Sequence, residues 1–367
     1  MDIIAAKNGG IMAEANPFAG RVEELLTAAK KKKLDCILLY TQTNRRVLTD
    51  VDCDNGCLLI DVNSAKMVFY TDFRYTVMAR RVAPWLETKD LWQAKDEAKT
   101  LKKLAKGAKR IGYEGSISAR KFLALQKALP KIELVDFESD VLAVRAVKTP
   151  AEIVKLAASE KLNDEIWRLA QKEIKPGMTE KEIQRVIRGF MNALGDGEAF
   201  ETIVCAGANA AECHHVPDDT VWGKGQPLLV DMGVKLDGVC SDMTRNIIPK
   251  KPDAEYRRIY DLVLEANMRA IAAVKPGITA GELDAVARDY LKEHGFDKEF
   301  GHSLGHGVGF EIHEQPFAAK GQKTVLRPGM SVTIEPGIYI EGKLGVRIED
   351  LVVVTSTGCE VLSRSKK

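Results

Sequence analysis

The sequence predicts an α/β protein of two domains, and three observations lead to that prediction. The chain has 367 residues, more than the roughly 100–200 of an ordinary domain. Helix-start signals alternate along it with short stretches rich in apolar and β-branched residues. A Pro-Gly turn followed by a helix-capping box occurs twice in the second part of the chain, which indicates an internal repeat.

Composition and charge argue against several classes of function. With 54 basic and 52 acidic residues the net charge is +2, so no overall field favours nucleic acid as a partner. No apolar run approaches the roughly 18–20 residues of a membrane helix, and the N-terminal segment has no apolar core of a secretory signal. The seven scattered cysteines show no disulfide framework. We therefore expect a cytoplasmic protein with reduced thiols and no membrane partner.

The first predicted domain spans residues 17–145. Asn16 and Pro17 are the N-cap and first residue expected of a helix, and the basic run Lys30 to Lys33 is typical of a helix C-terminus. Further segments follow: strands at 36–40, 57–62 and 67–75, and helices at 94–108 and 118–129. The residues before Asn16 are small and weakly patterned, and we expect a flexible tail there.

The second predicted domain spans residues 146–367. Thr149, Pro150 and Glu152 form an N-cap, a first-turn proline and a capping-box acid, which predicts a long helix to about Glu173. The repeat then places KPGMTEKEI at 175–183 and KPGITAGEL at 275–283. Strand-like stretches follow each copy, at 228–234 and 330–340. The repeat predicts two similar α/β halves around a shared cleft, unless the likeness of the two turns is coincidental.

Two pairs of acidic residues occur in otherwise apolar strands of this domain. Asp231 and Asp242 flank a Lys-Leu-Asp-Gly turn, and we expect them to lie opposite one another on a hairpin. Glu335 and Glu349 repeat the arrangement around the turn EGKLG at 341–345. Acids in the interior of such strands need a partner, since buried carboxylates repel one another unless a cation compensates them.

A glycine-rich segment between the hairpins, GHSLGHGVGFEIHEQP, carries His302, His306 and His313, three of only six histidines. An imidazole and four carboxylates supply enough donors for two divalent cations that share a bridging water. The charges then balance at about −4 and +4. Oxygen-rich coordination favours manganese, cobalt or iron(II) at least as much as zinc, and Mn²⁺ is the first expectation. Taken singly, each acid could instead flank a turn or pair with Arg347 or Lys343.

The segments DMGVKLDGVCSDMTRN, HSLGHGVGFEIHEQP, TIEPGIY and GVRIED resemble the metallopeptidases of the methionine aminopeptidase, aminopeptidase P and prolidase superfamily, which share the pita-bread fold. The resemblance covers a catalytic domain at about 150–365. It also covers a smaller creatinase-type N-terminal domain at about 17–145, which includes NRRVLTD and YTDFRY. That N-terminal domain is typical of the proline-peptidase branch. The chain is most similar to prolidases and short bacterial aminopeptidase P forms.

The resemblance implies a role for each candidate site residue. Asp231 would bind one metal, His306 and Glu335 the other, and Asp242 and Glu349 would bridge them. The positions of His214, His302, His313 and Arg347 match those that orient the substrate and stabilise the tetrahedral intermediate, and Glu335 would also be the proton shuttle. The implied substrate is a peptide with an N-terminal Xaa-Pro bond, and the implied assembly is a homodimer.

The sequence leaves several different functions open. A mononuclear zinc hydrolase could use His302, His306 and His313, although the glycines around His306 disfavour the helix that such spacing suits. The same fold could also support a methionine-type or broader aminopeptidase, metal-independent C–N hydrolysis of the creatinase type, or a non-catalytic binding protein. Whether the substrate is a dipeptide or a longer peptide is not settled by the sequence.

Overall fold

The computed structural model describes residues 16–90, 102, 105 and 107–367. The predicted tail before Asn16 and most of the helix predicted at 94–108 lie outside these residues. The chain divides between Arg145 and Ala146 into two compact units. No helix in the described part of the chain is both long enough and apolar enough to cross a membrane.

The first unit contains a mixed six-stranded sheet with the strand order β4-β3-β2-β1-β5-β6. Its strands are β1 (Cys36–Leu39), β2 (Cys57–Asp61), β3 (Met67–Thr71), β4 (Glu87–Asp90), β5 (Arg110–Tyr113) and β6 (Glu133–Asp136). Its helices are α1 (Ala19–Lys31), α2 (Gln42–Thr49), α3 (Phe73–Val82), α4 (Ala119–Ala128) and α5 (Glu138–Ala146). The strands β1, β2 and β3 are almost wholly buried, as their continuous apolar sequences require.

Two expectations for the first unit need correction. The strand predicted at 67–75 ends at Thr71, because the side chain of Asp72 accepts a hydrogen bond from the backbone N–H of Arg74 and so caps α3. Helix α1 begins at Ala19 rather than at Pro17. The side chain of Asn16 does accept a hydrogen bond, from the backbone N–H of Phe18 at 2.8 Å, but within a turn that precedes the helix.

The second unit contains four long helices: α6 (Pro150–Glu173), α7 (Glu180–Leu194), α8 (Ala254–Ala273) and α9 (Ala280–Glu293). The three predicted capping boxes are confirmed, since Thr149, Thr179 and Thr279 each accept a hydrogen bond from the N–H of a glutamate three residues later. Each of those glutamates accepts a bond in return from the N–H of its threonine. The helix starts were therefore correctly predicted from local sequence.

Short antiparallel strands complete the second unit. They are β7 (Gly197–Glu198), β8 (Ile203–Ala206), β9 (Leu228–Met232), β10 (Val234–Leu236), β11 (Val239–Cys240), β12 (Met243–Ile247), β13 (Gly305–Gly307), β14 (Glu314–Ala318), β15 (Ser331–Ile334), β16 (Gly337–Ile340), β17 (Leu344–Arg347), β18 (Asp350–Val354) and β19 (Cys359–Val361). One apolar core joins α6 and α7 to β8, β9 and β12, and another joins α8 and α9 to β15 and β17. These two cores define a first and a second half, in agreement with the predicted repeat.

Candidate metal centre

The first pair of acids lies on the hairpin formed by β9 and β12. Asp231 belongs to β9, and Asp242 immediately precedes β12. The cross-strand partner of Asp231 is Thr244, so the expectation that the two aspartates lie directly opposite one another is wrong. Both carboxylates nevertheless line one cavity.

The turn of this hairpin is the predicted Lys-Leu-Asp-Gly segment. Asp237 and Gly238 have φ angles of 53° and 71°, as required in a two-residue turn with left-handed central positions. Farther from the turn the ladder is interrupted at Gly233, where an added Cβ would lie 2.1 Å from the carbonyl oxygen of Ser241. Only glycine fits there. The interruption separates β9 and β12 from β10 and β11, and Asp242 lies beside it.

The second pair of acids lies on the hairpin that runs from β15 to β18. Ile334 pairs with Asp350 at the end of one ladder, and the same register continues in the ladder of β16 and β17. This register places Glu335 opposite Glu349 in the gap between the ladders. Pro336, which has no N–H to donate, lies in that gap. The two glutamates are therefore on adjacent strands, as predicted.

His306 is the central residue of β13 and lies between two glycines. A Cβ on Gly305 would lie 1.8 Å from the carbonyl oxygen of Thr333, and one on Gly307 would lie 2.3 Å from that of Gln315. The strand thus packs directly against neighbouring backbone on both sides of the histidine. These close approaches explain why the sequence has glycine at both positions.

The imidazole of His306 faces the acids. Its Nε2 lies 3.4 Å from Glu335 Oε1 and 3.5 Å from Asp242 Oδ2. Its Nδ1 lies 3.1 Å from the carbonyl oxygen of Gly307, which accepts the ring proton and leaves a lone pair on Nε2. Burial lowers the pKa of His306 to about 4, so the ring is neutral at physiological pH. A neutral imidazole with this tautomer is the form that binds a metal.

Three of the four acids, Asp242, Glu335 and Glu349, are held in an environment that resists their ionisation. Burial raises the pKa of Glu335 to about 8, and the carboxylate of Asp231 adds to the effect. Burial raises the pKa values of Asp242 and Glu349 well above their usual range, and the neighbouring carboxylates raise them further. One ligand atom from each of Asp242, His306 and Glu349 lies within 4.8 Å of the other two. This cluster is therefore poised to exchange protons for cations.

Arg347 is bound within the cluster. Its Nη2 donates to Asp231 Oδ2 at 2.6 Å, its Nε to the hydroxyl of Thr244 at 3.0 Å, and its Nη1 to the hydroxyl of Tyr339 at 2.9 Å. The hydroxyl of Thr244 in turn donates to Glu349 Oε2 at 2.7 Å. Arg347 thus pairs with an aspartate, whereas the sequence had offered a glutamate as its partner. With one guanidinium included, the cluster carries a net charge of about −3 when its four acids are ionised.

The remaining predicted histidines have different surroundings. The Nε2 of His302 lies 2.8 Å from the hydroxyl of Tyr339, and burial lowers the pKa of His302 to about 4. The ring of His313 makes an edge contact with that of His306, with centroids 4.4 Å apart. Of the three histidines proposed for a mononuclear zinc site, only His306 belongs to a group that could hold an ion among the described residues. The geometry does not favour a site built from the three histidines.

Two cavities of about 210 and 180 Å³ share the cluster as a common wall. The residues that line both are His214, Asp231, His306, His313 and Glu335. One cavity is completed by Phe200, Glu201, Ile203, Asp242, Ile312 and Glu349, and the other by Cys213, His302, Ser303, Phe317 and Arg347. All nine predicted site residues therefore line one or both cavities.

Sequence reasoning missed three residues that hold the cluster in place. Thr244 connects Arg347 to Glu349, and Tyr339 bonds both Arg347 and His302. Glu160, on α6, is wholly buried and accepts a hydrogen bond from the backbone N–H of Asp242 at 3.1 Å. On the same face of α6, Leu156 and Asn163, about one turn to either side of Glu160, are also buried.

The donor set fits a divalent metal centre. Asp231 Oδ1 is buried and has no hydrogen-bond partner among the described residues, so it offers an uncompensated acceptor. Carboxylate oxygens and one imidazole nitrogen are the ligands that manganese, iron(II), cobalt and zinc accept in proteins. Two divalent cations would bring the net charge of the cluster from about −3 to about +1, and one would leave about −1.

Comparisons with known proteins agree with this geometry. Residues 155–356 match metallopeptidase family M24, and residues 21–147 match the Creatinase/Prolidase N-terminal domain. The chain is 31% identical over 348 residues to an Xaa-Pro dipeptidase of Pyrococcus horikoshii, covering 95% of this chain and 97% of the relative.

Two solved structures extend the likeness to the whole fold. An Xaa-Pro dipeptidase from Bacillus anthracis has a TM-score of 0.90 and 36% identity, with 95% of this chain and 98% of that chain covered. An X-Pro aminopeptidase from Thermotoga maritima has a TM-score of 0.84 and 32% identity, with 94% and 98% covered. These matches extend over both compact units, and the predicted creatinase-type and pita-bread architecture is confirmed. The chain belongs to metallopeptidase family M24.

Proposed function

We propose that this protein is a two-metal exopeptidase that cleaves the N-terminal Xaa-Pro bond of dipeptides or short peptides. The observation that carries the proposal is the cluster of the buried residues Asp231, Asp242, His306 and Glu349 with the part-buried Glu335 on the wall of paired cavities. The similarity of the chain to proteins named as Xaa-Pro dipeptidases and an X-Pro aminopeptidase supports the choice of substrate.

We assign the ligands as the family resemblance implies. Asp231 would hold one metal, His306 and Glu335 would hold the other, and Asp242 and Glu349 would serve both. The unpartnered Oδ1 of Asp231 and the lone pair of His306 Nε2 support this assignment. Mn²⁺ is the proposed native ion because four of the five ligands are carboxylates, and Co²⁺, Fe²⁺ and Zn²⁺ are the ions to compare with it.

When bound, the two metals lower the pKa of a water molecule and polarise the scissile carbonyl. Glu335 takes the proton of the attacking water and returns it to the leaving nitrogen of proline. His214 donates to the developing oxyanion. His302, His313 and Arg347 form the wall on the prolyl side, where Arg347 also fixes Asp231.

A dedicated pocket is required because the Xaa-Pro bond is a tertiary amide. It has no N–H, so the substrate cannot be held by the extended pairing that most proteases use. In the cavity lined by His302 and Arg347, Phe317 supplies apolar surface for the proline ring. The free amine of the substrate binds near Asp231, which restricts cleavage to the N-terminal bond.

Three peptides distinguish the candidate activities in one assay with Mn²⁺. Ala-Pro cleaved alone indicates a dipeptidase, cleavage of Ala-Pro-Ala indicates an aminopeptidase, and cleavage of Met-Ala-Ser indicates a methionine-type enzyme. Metal analysis of the active protein should find two ions per chain. If none of the peptides is cleaved under any metal loading, or if no stoichiometric metal is bound, the proposed function is wrong.

The family resemblance also supports two properties of the whole protein. We propose that residues 17–145 and 146–367 are the two functional domains and that the active form is a homodimer, which sedimentation analysis would test.

A reducing, cytoplasmic location accords with seven free cysteines, of which five are buried. Thiol titration of freshly purified protein in denaturant should find all seven reactive.

A further inference from the structure

The two halves of the second unit start α7 and α9 in the same way, with one difference. Thr179 bridges to Val221, and Thr279 bridges to Val325. The first helical N–H of each then donates to a backbone carbonyl of the chain beside it, that of Thr220 at 3.0 Å and that of Thr324 at 2.8 Å. The residue that makes this bond is Glu180 in α7 and Ala280 in α9.

Glu180 is wholly buried, and the capping of α7 does not require it. Thr179 and Glu182 already form the capping box, as Thr279 and Glu282 do in α9. A buried carboxylate destabilises the fold unless hydrogen bonds compensate it. Ala280 occupies the corresponding position in the second half. Glu180 must therefore serve a purpose that is specific to the first half.

The hydrogen-bond partners of the Glu180 carboxylate in the described part of the chain all belong to the segment 206–218. Its Oε1 accepts from the backbone N–H of Ala206 at 2.7 Å and from the side chain of Asn209 at 3.0 Å. Its Oε2 lies 2.7 Å from His215 Nε2 and accepts from the backbone N–H of Asp218 at 3.1 Å. We name residues 207–220 the His214 loop. The carboxylate of Glu180 binds Ala206, just before this loop, and Asp218, near its end.

The opposite side of this loop contacts the candidate metal centre. The carbonyl oxygen of Cys213 accepts from Arg347 Nη1 at 3.3 Å, and the side chain of His214 lines both cavities. At Gly345 an added Cβ would lie 1.7 Å from the carbonyl oxygen of Ala210, so the loop rests directly on β17. The loop is fixed between Glu180 and the strand that carries Arg347.

We propose that Glu180 is a positioning residue for His214: it sets the His214 loop against the metal centre and so places the imidazole that binds the oxyanion. This inference rests on the function proposed above. Glu180, His215 and Asp218 also offer three potential metal ligands within 4.8 Å. Each carboxylate oxygen of Glu180 already has two partners, however, so we assign the group to loop anchoring rather than to a further ion.

A double-mutant cycle tests whether Glu180 acts through His214. In metal-loaded protein, Glu180→Ala should lower kcat/KM for an Xaa-Pro peptide by roughly 10- to 100-fold, because small displacements of a catalytic group have large effects. In a His214→Ala background the same change should cost less than about threefold. An equal loss in both backgrounds, or no loss in either, would overturn the proposal. Glu182→Ala is the matched control, since it removes the cap of the same helix but leaves the loop contacts.

A second readout does not depend on activity. Hydrogen exchange of the amides in residues 207–218 should be at least about tenfold faster in Glu180→Ala than in wild type, and unchanged there in Glu182→Ala. If Glu180→Ala does not fold, Glu180→Gln retains one acceptor oxygen and should give a smaller change of the same kind. Unchanged exchange in the Glu180 variant contradicts the anchoring role. Loss of one bound metal per chain in that variant also contradicts it, because Glu180 would then be a metal ligand. If wild type cleaves no Xaa-Pro peptide, the proposed function fails, whereas the exchange result still decides whether Glu180 anchors the loop.

Discussion

Removal of the metals should make this protein lose stability as the pH rises above neutrality. In the absence of a cation, burial raises the pKa of Glu335 to about 8, against a value of 4.5 for an ordinary glutamate. Between these values the folded chain holds a proton that the unfolded chain has released. The free energy of unfolding therefore falls with pH, by about 1.4 kcal/mol per pH unit for each such carboxyl.

In the window from pH 6.5 to 8 this effect is measured as the difference between metal-free and metal-loaded protein. Burial also raises the pKa of Glu160 to about 8, but Glu160 is not a proposed ligand and its loss is common to both forms. Burial lowers the pKa of His306 from 6.5 to about 4. The effect of this histidine on the free energy of unfolding is therefore an increase between pH 4 and 6.5, with no further change at higher pH. Over the remaining 1.5 units Glu335 alone accounts for about 2 kcal/mol at most. The pKa values of Asp242 and Glu349 are raised in the same direction and increase the loss.

Urea unfolding of chelator-treated and metal-loaded protein measures the difference. Replacement of Trp85 and Trp92 by phenylalanine leaves Trp167 and Trp222, so that fluorescence reports on the second unit. The stripped protein should lose stability between pH 6.5 and 8, and the loaded protein should not lose this contribution. Glu335→Gln should reduce the slope of the stripped protein. Equal pH dependence with and without metal would refute the reasoning.

Three further changes test the site and its support. His306→Ala should lower the number of bound metals and abolish peptide cleavage after reconstitution, as measured by elemental analysis and kinetics; full activity would exclude His306 as a ligand. Thr244→Val removes the bonds to Arg347 and Glu349 and should weaken metal binding by roughly 10- to 100-fold in a competition titration, whereas unchanged affinity would show that this hydroxyl is dispensable. Gly305→Ala should cost at least about 3 kcal/mol in denaturant unfolding, because the new methyl group would lie 1.8 Å from a carbonyl oxygen. Gly301→Ala is its control and should be nearly neutral, because no described residue other than the two chain neighbours has an atom within 4 Å of the added carbon.

Features encoded by neighbouring residues were predicted from sequence most accurately. The helix starts at Pro150, Glu180 and Ala280 follow from capping boxes, in which all the interacting groups lie within four residues. The start of α3 was missed although Asp72 is a capping residue. The aromatic and β-branched residues that follow Asp72 are typical of a strand. In the structure they form a helix, because the side chain of Asp72 caps its first turn.

Features that depend on strand register and distant partners could not be predicted. Asp231 was expected opposite Asp242, but the register of β9 and β12 pairs it with Thr244, and spacing alone does not determine such a register. The bond between Arg347 and Asp231 joins residues 116 positions apart, and several acids were equally plausible partners. The candidate ligands themselves were identified because acids inside apolar strands are costly wherever they occur.

The placement of the acids in different halves has a consequence for cooperativity. Asp231 and Asp242 lie on the hairpin of the half built on α6 and α7, and Glu335 and Glu349 lie on the hairpin of the half built on α8 and α9. Two metal ions held jointly by Asp242 and Glu349 would connect one half and its hydrophobic core to the other. Loss of the ions would remove this connection and leave direct bonds, such as those of Arg347 to Asp231 and of Thr244 to Glu349, to hold the two halves together. Metal supply would thereby govern whether this part of the chain melts as one body or in stages.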